Sequence, residues 1–413
     1  MMFLEFFIWG GWFVTLGTFL ANNLNANDPQ KAMAFSTQSW GAIMAPFIIG
    51  LIADRFFNAE RILGILHLLG AGLMYLMATS SDFSGFYPLV LGYMILYMPT
   101  LALVNSVAFN QMKDTAKEFG YIRVWETIGW IIAGITISFL NWDAPQAIAG
   151  GALQNTFFMA GGASATLGLM SFTLPKTQPK VKIGEKVTLG DVLGYEALGL
   201  LKDRNFLIFF ISSVLICIPL AFYYQYTNSF LVEVSMQNAT GKMALGQGSE
   251  VVFMLLLPIF LKRFGIKATL LVGMAAWVLR YLLFAFGDAG PGAYMLITGI
   301  FLHGICYDFF FVSGQIFTDH KAGEKVRSAA QGMITLATYG VGMLIGFWVA
   351  GQIAELYFMP DGTYNWSRIW IFPAVFAAVV FVLFGLLFKN EKIELQGAEV
   401  GASSVGEITL STT

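Results

Sequence analysis

The 413-residue chain is 57% hydrophobic and only 12% charged, with 23 Lys and Arg against 25 Asp and Glu and a mean hydropathy of +0.69. A soluble domain carries about twice that share of charge. An ordinary soluble enzyme or binding domain is therefore excluded, and the net charge of −2 identifies no partner.

Apolar blocks of about 20 residues, long enough to cross a bilayer as helices, recur along the chain. Twelve spans are predicted, at 1–21, 36–57, 62–79, 86–109, 120–140, 148–174, 204–232, 241–261, 267–286, 292–317, 328–356 and 369–388. The first block lacks a basic n-region and contains Glu5, so it reads as a retained helix rather than a cleaved signal. Residues 175–203 form a polar, basic connection that divides the chain into six-span halves, 1–174 and 204–390. Residues 391–413 are polar and small, and disorder is expected there. The fold expected is an all-α membrane protein with twelve transmembrane helices in two halves.

Lys and Arg set the orientation. Alternate connections, beginning after the second span, together with the C-terminal flank hold eighteen of the 23; the opposite side has only Lys31, Lys242 and Arg368. Both termini and the central linker are therefore expected in the cytoplasm. Twelve spans in two halves with both ends inside suggest a secondary transporter. Between spans two and three, Gly50-Leu-Ile-Ala-Asp54-Arg55, with Arg61 beyond, resembles the Gly-x-Leu-Ala-Asp-Arg signature of the major facilitator superfamily. Physically, Asp54 and the arginines suit ion pairs across an interface that opens and closes.

Charged residues inside spans are costly and call for explanation. Glu250 sits mid-span, twelve residues before Lys262, or roughly 18 Å along a helix. Gln247 shares its face, three residues earlier. Arg280 and Asp308 lie at similar depth, so the three are expected to share a polar layer. Arg280 is expected to pair with one acid as a structural ion pair, leaving the other for function. A carboxylate that exchanges a salt bridge for a proton is the simplest coupling device, and Glu250 and Asp308 are the two candidates. In the fifth span Arg123, Thr127 and Trp130 form a polar and aromatic stripe; Arg123 with Glu126 is equally readable as a local ion pair, and Trp130 as packing. Tyr224, Gln225 and Asn228 near the end of the seventh span suit a hydroxylated ligand or an outer aromatic belt. His303 and Tyr307, one turn apart, are readable as a proton relay or as packing. His67 carries no distinct signal.

Neither a phosphate-binding loop nor a catalytic constellation appears, and Cys217 and Cys306 lie apart in apolar stretches. No enzyme activity, cofactor, metal or nucleic-acid partner is expected. Energy must come from an ion gradient; a proton crossing 100 mV releases about 2.3 kcal/mol, enough for roughly fifty-fold accumulation.

Several segments together resemble the nucleoside/proton symporter family of the major facilitator superfamily. They are Trp9-Gly10-Gly-Trp12, Tyr97-Met-Pro99-Thr100, Ile122-Arg123-Val-Trp125-Glu-Thr127-Ile-Gly129, Gln247-Gly-Ser-Glu250, Ala276-Trp277-Val-Leu-Arg280 and Tyr307-Asp308-Phe-Phe. The resemblance covers nearly the whole chain. It implies a nucleoside site between the halves, with contacts at Arg123, Thr127, Gln247, Glu250 and Asp308 and aromatic positions at Trp130 and Tyr307. Glu126 stands where the broad-specificity permease has glycine. In the seventh span the family's Gln-x-x-Asn pair falls on Gln225 and Asn228 by pattern, or on Ala221 and Tyr224 by alignment on Asn228-Ser-Phe-Leu. Together these expectations describe an inner-membrane importer of nucleosides with protons, functional as a monomer within the lipid bilayer. A sugar or glycoside symporter, or a membrane sensor, is the alternative.

Overall fold

The computed structural model describes residues 1–48, 58–112, 115–178 and 195–391. Nearly all of them are helical. The N-terminal helices are α1 (Met2–Gly10), α2 (Leu16–Asn23), α3 (Asp28–Ile48), α4 (Ala59–Ala78), α5 (Phe83–Gln111), α6 (Thr115–Phe139), the short α7 (Pro145–Ala149) and α8 (Gln154–Ser171). The C-terminal helices are α9 (Arg204–Glu233), α10 (Ala239–Phe286), α11 (Ala293–Phe301), α12 (His303–Tyr307), α13 (Ser313–Thr335), α14 (Met343–Leu356) and α15 (Trp366–Leu387). Among the described residues, eight helices are long and apolar enough to cross a membrane. Large apolar side chains such as Leu255, Phe139 and Leu386 face outward, as hydrocarbon surroundings require.

Local chemistry explains most boundaries. Asp203 caps α9 by accepting from the Phe206 amide at 2.8 Å, and Asp82 caps α5 by accepting from the Gly85 amide at 2.9 Å. Predicted spans eight and nine form the single stretch α10, which turns back at Gly265 with φ +74. Gly323, with φ +63, breaks α13 in the same way between predicted spans ten and eleven. Glycine adopts this backbone conformation at no steric cost.

Two expectations need correction. The first span is not one helix: α1 and α2 are separated at residues 11–15, where the Thr15 hydroxyl donates to the Trp12 carbonyl at 3.1 Å and competes with the helical ladder. The second span starts at Asp28, eight residues before the predicted limit. Asn27 and Gln30 form a reciprocal capping box, each side chain accepting from the other's amide, at 2.9 and 3.0 Å. The signature pair Asp54 and Arg55, most of the linker (179–194) and the tail (392–413) lie outside the described residues. Arg61 is exposed.

The two sets of helices meet at one end. Polar groups that resemble loop residues in sequence are buried there. Asp28 and Lys31 pair at 3.1 Å with about 5% exposure or less. Tyr226 and Tyr364 each donate to Asp28 at 2.9 Å. Thr18 donates to the Asn228 side-chain oxygen at 2.6 Å, and Asn228 donates to Thr240 at 3.0 Å. Asp143 accepts from the Thr240 amide at 3.0 Å, while Ser138 accepts from the Gly241 amide at 2.8 Å. Gly17 and Gly351 allow the close approach: a β-carbon at Gly17 would lie 2.5 Å from the Gln225 carbonyl oxygen, and one at Gly351 2.8 Å from Ala32. These contacts form a polar seal at the end that carries few Lys and Arg.

Close helix contact also positions the interior. A β-carbon at Gly304 would lie 2.6 Å from the backbone of Ser249, whereas Gly248 has open space. Gly304→Val is expected to cost about 1–3 kcal/mol by overpacking and to lower the thermal unfolding midpoint in detergent. Gly248→Ala is expected to leave it unchanged.

Candidate functional site

Between the two sets of helices lies a narrow cleft with a cavity volume of about 10 Å³, bounded by Trp130 of α6 and by Tyr223, Tyr224, Thr240, Met243 and Gln247 of α9 and α10. Trp130 reaches the cleft because Gly10 lets it approach: a β-carbon at Gly10 would lie 2.9 Å from its ring. Trp9 supports it edge-on, with ring centroids 5.6 Å apart.

Behind the cleft Arg280 is fully buried. Its guanidinium lies 3.5 Å over the ring of Tyr223, a cation–π contact strengthened by the absence of water. It also contacts His303 Nδ1 at 2.9 Å. An arginine only donates, so Nδ1 accepts and the imidazole is neutral with its proton on Nε2. That proton is donated to Glu250 Oε1 at 2.9 Å. Tyr223 and His303 stack at 4.9 Å. The expected direct pair between Arg280 and an acid is thus replaced by Arg280–His303–Glu250. A histidine is interposed because Gly304 brings α12 against α10, where its amide donates to Ser249 at 2.9 Å.

Asp308 begins a π-helical turn over Asp308–Val312 and is fully buried. Neither of its carboxyl oxygens has a hydrogen-bond partner among the described residues. Such burial is very costly for a charge and far cheaper for a neutral acid. The preceding residue, Tyr307, bonds Tyr339 hydroxyl to hydroxyl at 2.7 Å; Tyr339 sits in a second π-turn, Leu336–Gly342. π-turns of this kind are frequent at functional sites.

On α6 Arg123 lies 3.7 Å from Glu126, with its side chain 45% exposed. The local pair is therefore present, but it is long and open. Arg123 is also within electrostatic reach of both Glu250 and Asp308. Thr127 is half-buried on the same helix.

Of the residues singled out from sequence, Trp130, Tyr224 and Gln247 line the cleft, while Arg123, Glu250 and Asp308 lie within electrostatic reach of one another. Gln225 and Asn228 are elsewhere: Gln225 is buried and donates to Tyr226 at 3.2 Å, and Asn228 belongs to the seal. The positions that face the cleft in α9 are Tyr223 and Tyr224. Tyr223, Tyr339 and Thr240 lie at the site without having been singled out. Tyr223 and Tyr339 occupy aromatic-rich spans in which spacing alone does not separate site from packing.

A family model described as nucleoside H+ symporter matches residues 1–393. The chain is 43% identical to the "Putative nucleoside transporter YegT" of Escherichia coli K12 over 97% of this chain and 95% of that one. It is 33% identical to the xanthosine permease of the same organism, covering 94% of each. It superposes on a crystal structure of the nucleoside transporter NupG with a TM-score of 0.82 and 30% identity, covering 94% of this chain and 98% of that one. The architecture is thus that of a major facilitator transporter.

The bonding pattern ranks two substitutions. His303→Leu leaves Arg280 and Glu250 unconnected and is expected to destabilise by about 3–5 kcal/mol. Tyr307→Phe removes one hydroxyl contact and is expected to cost about 0.5–1.5 kcal/mol. Thermal unfolding of the purified variants measures both.

Proposed function

The chain belongs to the nucleoside H+ symporter family, and from that premise we propose that it imports nucleosides together with protons by alternating access between its two halves. The observation that carries the proposal is the electrostatic reach of Arg123, on the N-terminal helices, to Glu250 and Asp308 on the C-terminal ones, beside a cleft sealed at one end. The nucleobase stacks on Trp130, Tyr224 or Tyr307. Gln247, Thr127 and Arg123 bind the polar edges of the base or the ribose hydroxyls.

The coupling follows from charge. While Glu250 and Asp308 hold protons, Arg123 is free to bind substrate. Once the protons leave, the carboxylates attract Arg123 across the cleft, an interaction of about 4 kcal/mol at 4 Å in an effective dielectric of 20. That attraction closes the open end and returns the empty site to the other side. The proton's own descent supplies about 2.3 kcal/mol per 100 mV. Each chain contains both walls of the cleft, so a monomer is sufficient.

The excess of Lys and Arg at the end opposite the seal supports a cytoplasmic location for that end, with both termini. The sealed end then faces outward from the inner membrane.

Two tests follow. Glu250→Gln keeps an acceptor for His303 and removes titration. Proteoliposomes carrying it are expected to exchange labelled uridine or adenosine but to lose accumulation driven by an inward proton gradient. Intact accumulation would assign the proton to Asp308 alone. For orientation, Cys217 and Cys306 are buried, which leaves a clean background. A cysteine at exposed Asp361 is expected to react with an impermeant thiol reagent in cells whose outer membrane has been permeabilised. One at Glu391 is expected to react only once the inner membrane is opened.

A further inference from the structure

A second buried carboxyl–imidazole pair lies in the N-terminal helices, away from the cleft acids. Glu5 of α1 is fully buried and His67 of α4 nearly so. Glu5 Oε2 and His67 Nε2 are 2.8 Å apart. At one end of the pair His67 Nδ1 lies 3.1 Å from the Ser164 hydroxyl, which is also 2.9 Å from the His67 carbonyl oxygen. At the other end Glu5 Oε1 lies 2.6 Å from the Thr100 hydroxyl, which is also 2.5 Å from the Tyr97 carbonyl oxygen.

Each hydroxyl has one proton and two acceptors within reach, and the choice made by Ser164 defines two satisfied states. In the first, Ser164 donates to His67 Nδ1, His67 Nε2–H donates to Glu5, and Thr100 donates to the Glu5 carboxylate. In the second, Ser164 turns to the His67 carbonyl while Thr100 keeps its bond to Glu5. His67 Nδ1–H then donates to Ser164, and one more proton sits between Nε2 and Glu5, because two bare lone pairs facing each other at this distance would repel. The states differ by one proton and one hydroxyl rotation, and no heavy atom moves. We propose that Glu5 and His67 form a proton-binding site distinct from Glu250 and Asp308.

The contrast with His303 sharpens the assignment. There Nδ1 faces Arg280, which donates only, so that ring is held in one neutral tautomer. Against Glu5 the packed elements bring Tyr93 and Tyr97 from α5, Glu126 from α6 and the Met1 amino group. From α4 comes His67, while Glu60 is turned to the Thr177 amide at 2.9 Å. The segment Gln154–Ser171 of α8 contains no titratable side chain. No guanidinium is bonded to either member of the pair among the described residues. The pair is also tied to the cleft wall. Trp9, one turn after Glu5, packs on Trp130, and the Tyr97 hydroxyl donates to the Glu5 carbonyl at 2.7 Å.

The test is nitrogen-15 NMR of histidine-labelled protein in nanodiscs, without substrate, across about pH 5 to 9. The chain has three histidines, and His320→Gln removes the exposed one. One of the two buried rings is expected to change protonation or tautomer with pH while the other, His303, stays fixed with its proton on Nε2. Glu5→Gln is expected to abolish the change. The milder Thr100→Val is expected to displace it along the pH axis, which assigns it to His67. A single tautomer for both buried rings throughout, or a transition unchanged in these variants, would overturn the proposal. Because no nucleoside or gradient is involved, that outcome leaves the coupling assigned to Glu250 and Asp308 untouched.

Discussion

The C-terminal helices are built around one electrostatic problem, a guanidinium with no access to water. An isolated charge in that setting costs many kcal/mol, so Arg280 must be met from several sides. Tyr223 offers its ring face, and His303 offers a lone pair. Accepting that bond fixes the histidine tautomer and aims its remaining proton at Glu250. The carboxylate is thereby held at the edge of the cleft by a charge it does not touch. Three segments, α9, α10 and α12, take their relative positions from this chain of contacts. The paired glycine and serine at Gly304 and Ser249 make the approach possible.

Polarity is divided between the two ends of the molecule in a way that suits a carrier. At the sealed end, bonds between neutral groups and one compact ion pair hold the two sets of helices together. Thr18, Asn228 and Thr240 form one such line, and Asp28 with Tyr226 and Tyr364 another. Individually these bonds are worth about 0.5–1.5 kcal/mol, so the seal is a sum of weak, reversible contacts. The charged group deeper in the cleft is different in kind. There, changing one proton alters an interaction of several kcal/mol, enough to shift a balance that the seal leaves close.

The span pattern was readable because membrane length and apolar composition are strong signals, and Gly265 and Gly323 turn the chain where basic residues interrupt them. Arg123, Glu250 and Asp308 were conspicuous for the same reason, since charge inside a span has no other purpose than pairing or function. What was hidden is tertiary. Asp28 and Lys31 read as a loop because their partners, Tyr226 and Tyr364, come from segments some 200 and 330 residues away. The interposed His303 depends on the close approach of two helices, which no local pattern reports. Gln225 and Asn228 match a motif by spacing, yet the rotation of α9 turns Tyr224 to the cleft and buries the amides. Glu5 and His67 lie 62 positions apart and met no periodic expectation.

In the proposed cycle nucleoside and proton cross together. Internal pH of proteoliposomes, followed with a trapped dye after external uridine or adenosine is added without any imposed gradient, tests it most directly. Coupled entry predicts acidification of the lumen with the nucleosides and none with free ribose. Uptake of nucleoside at constant internal pH would contradict it.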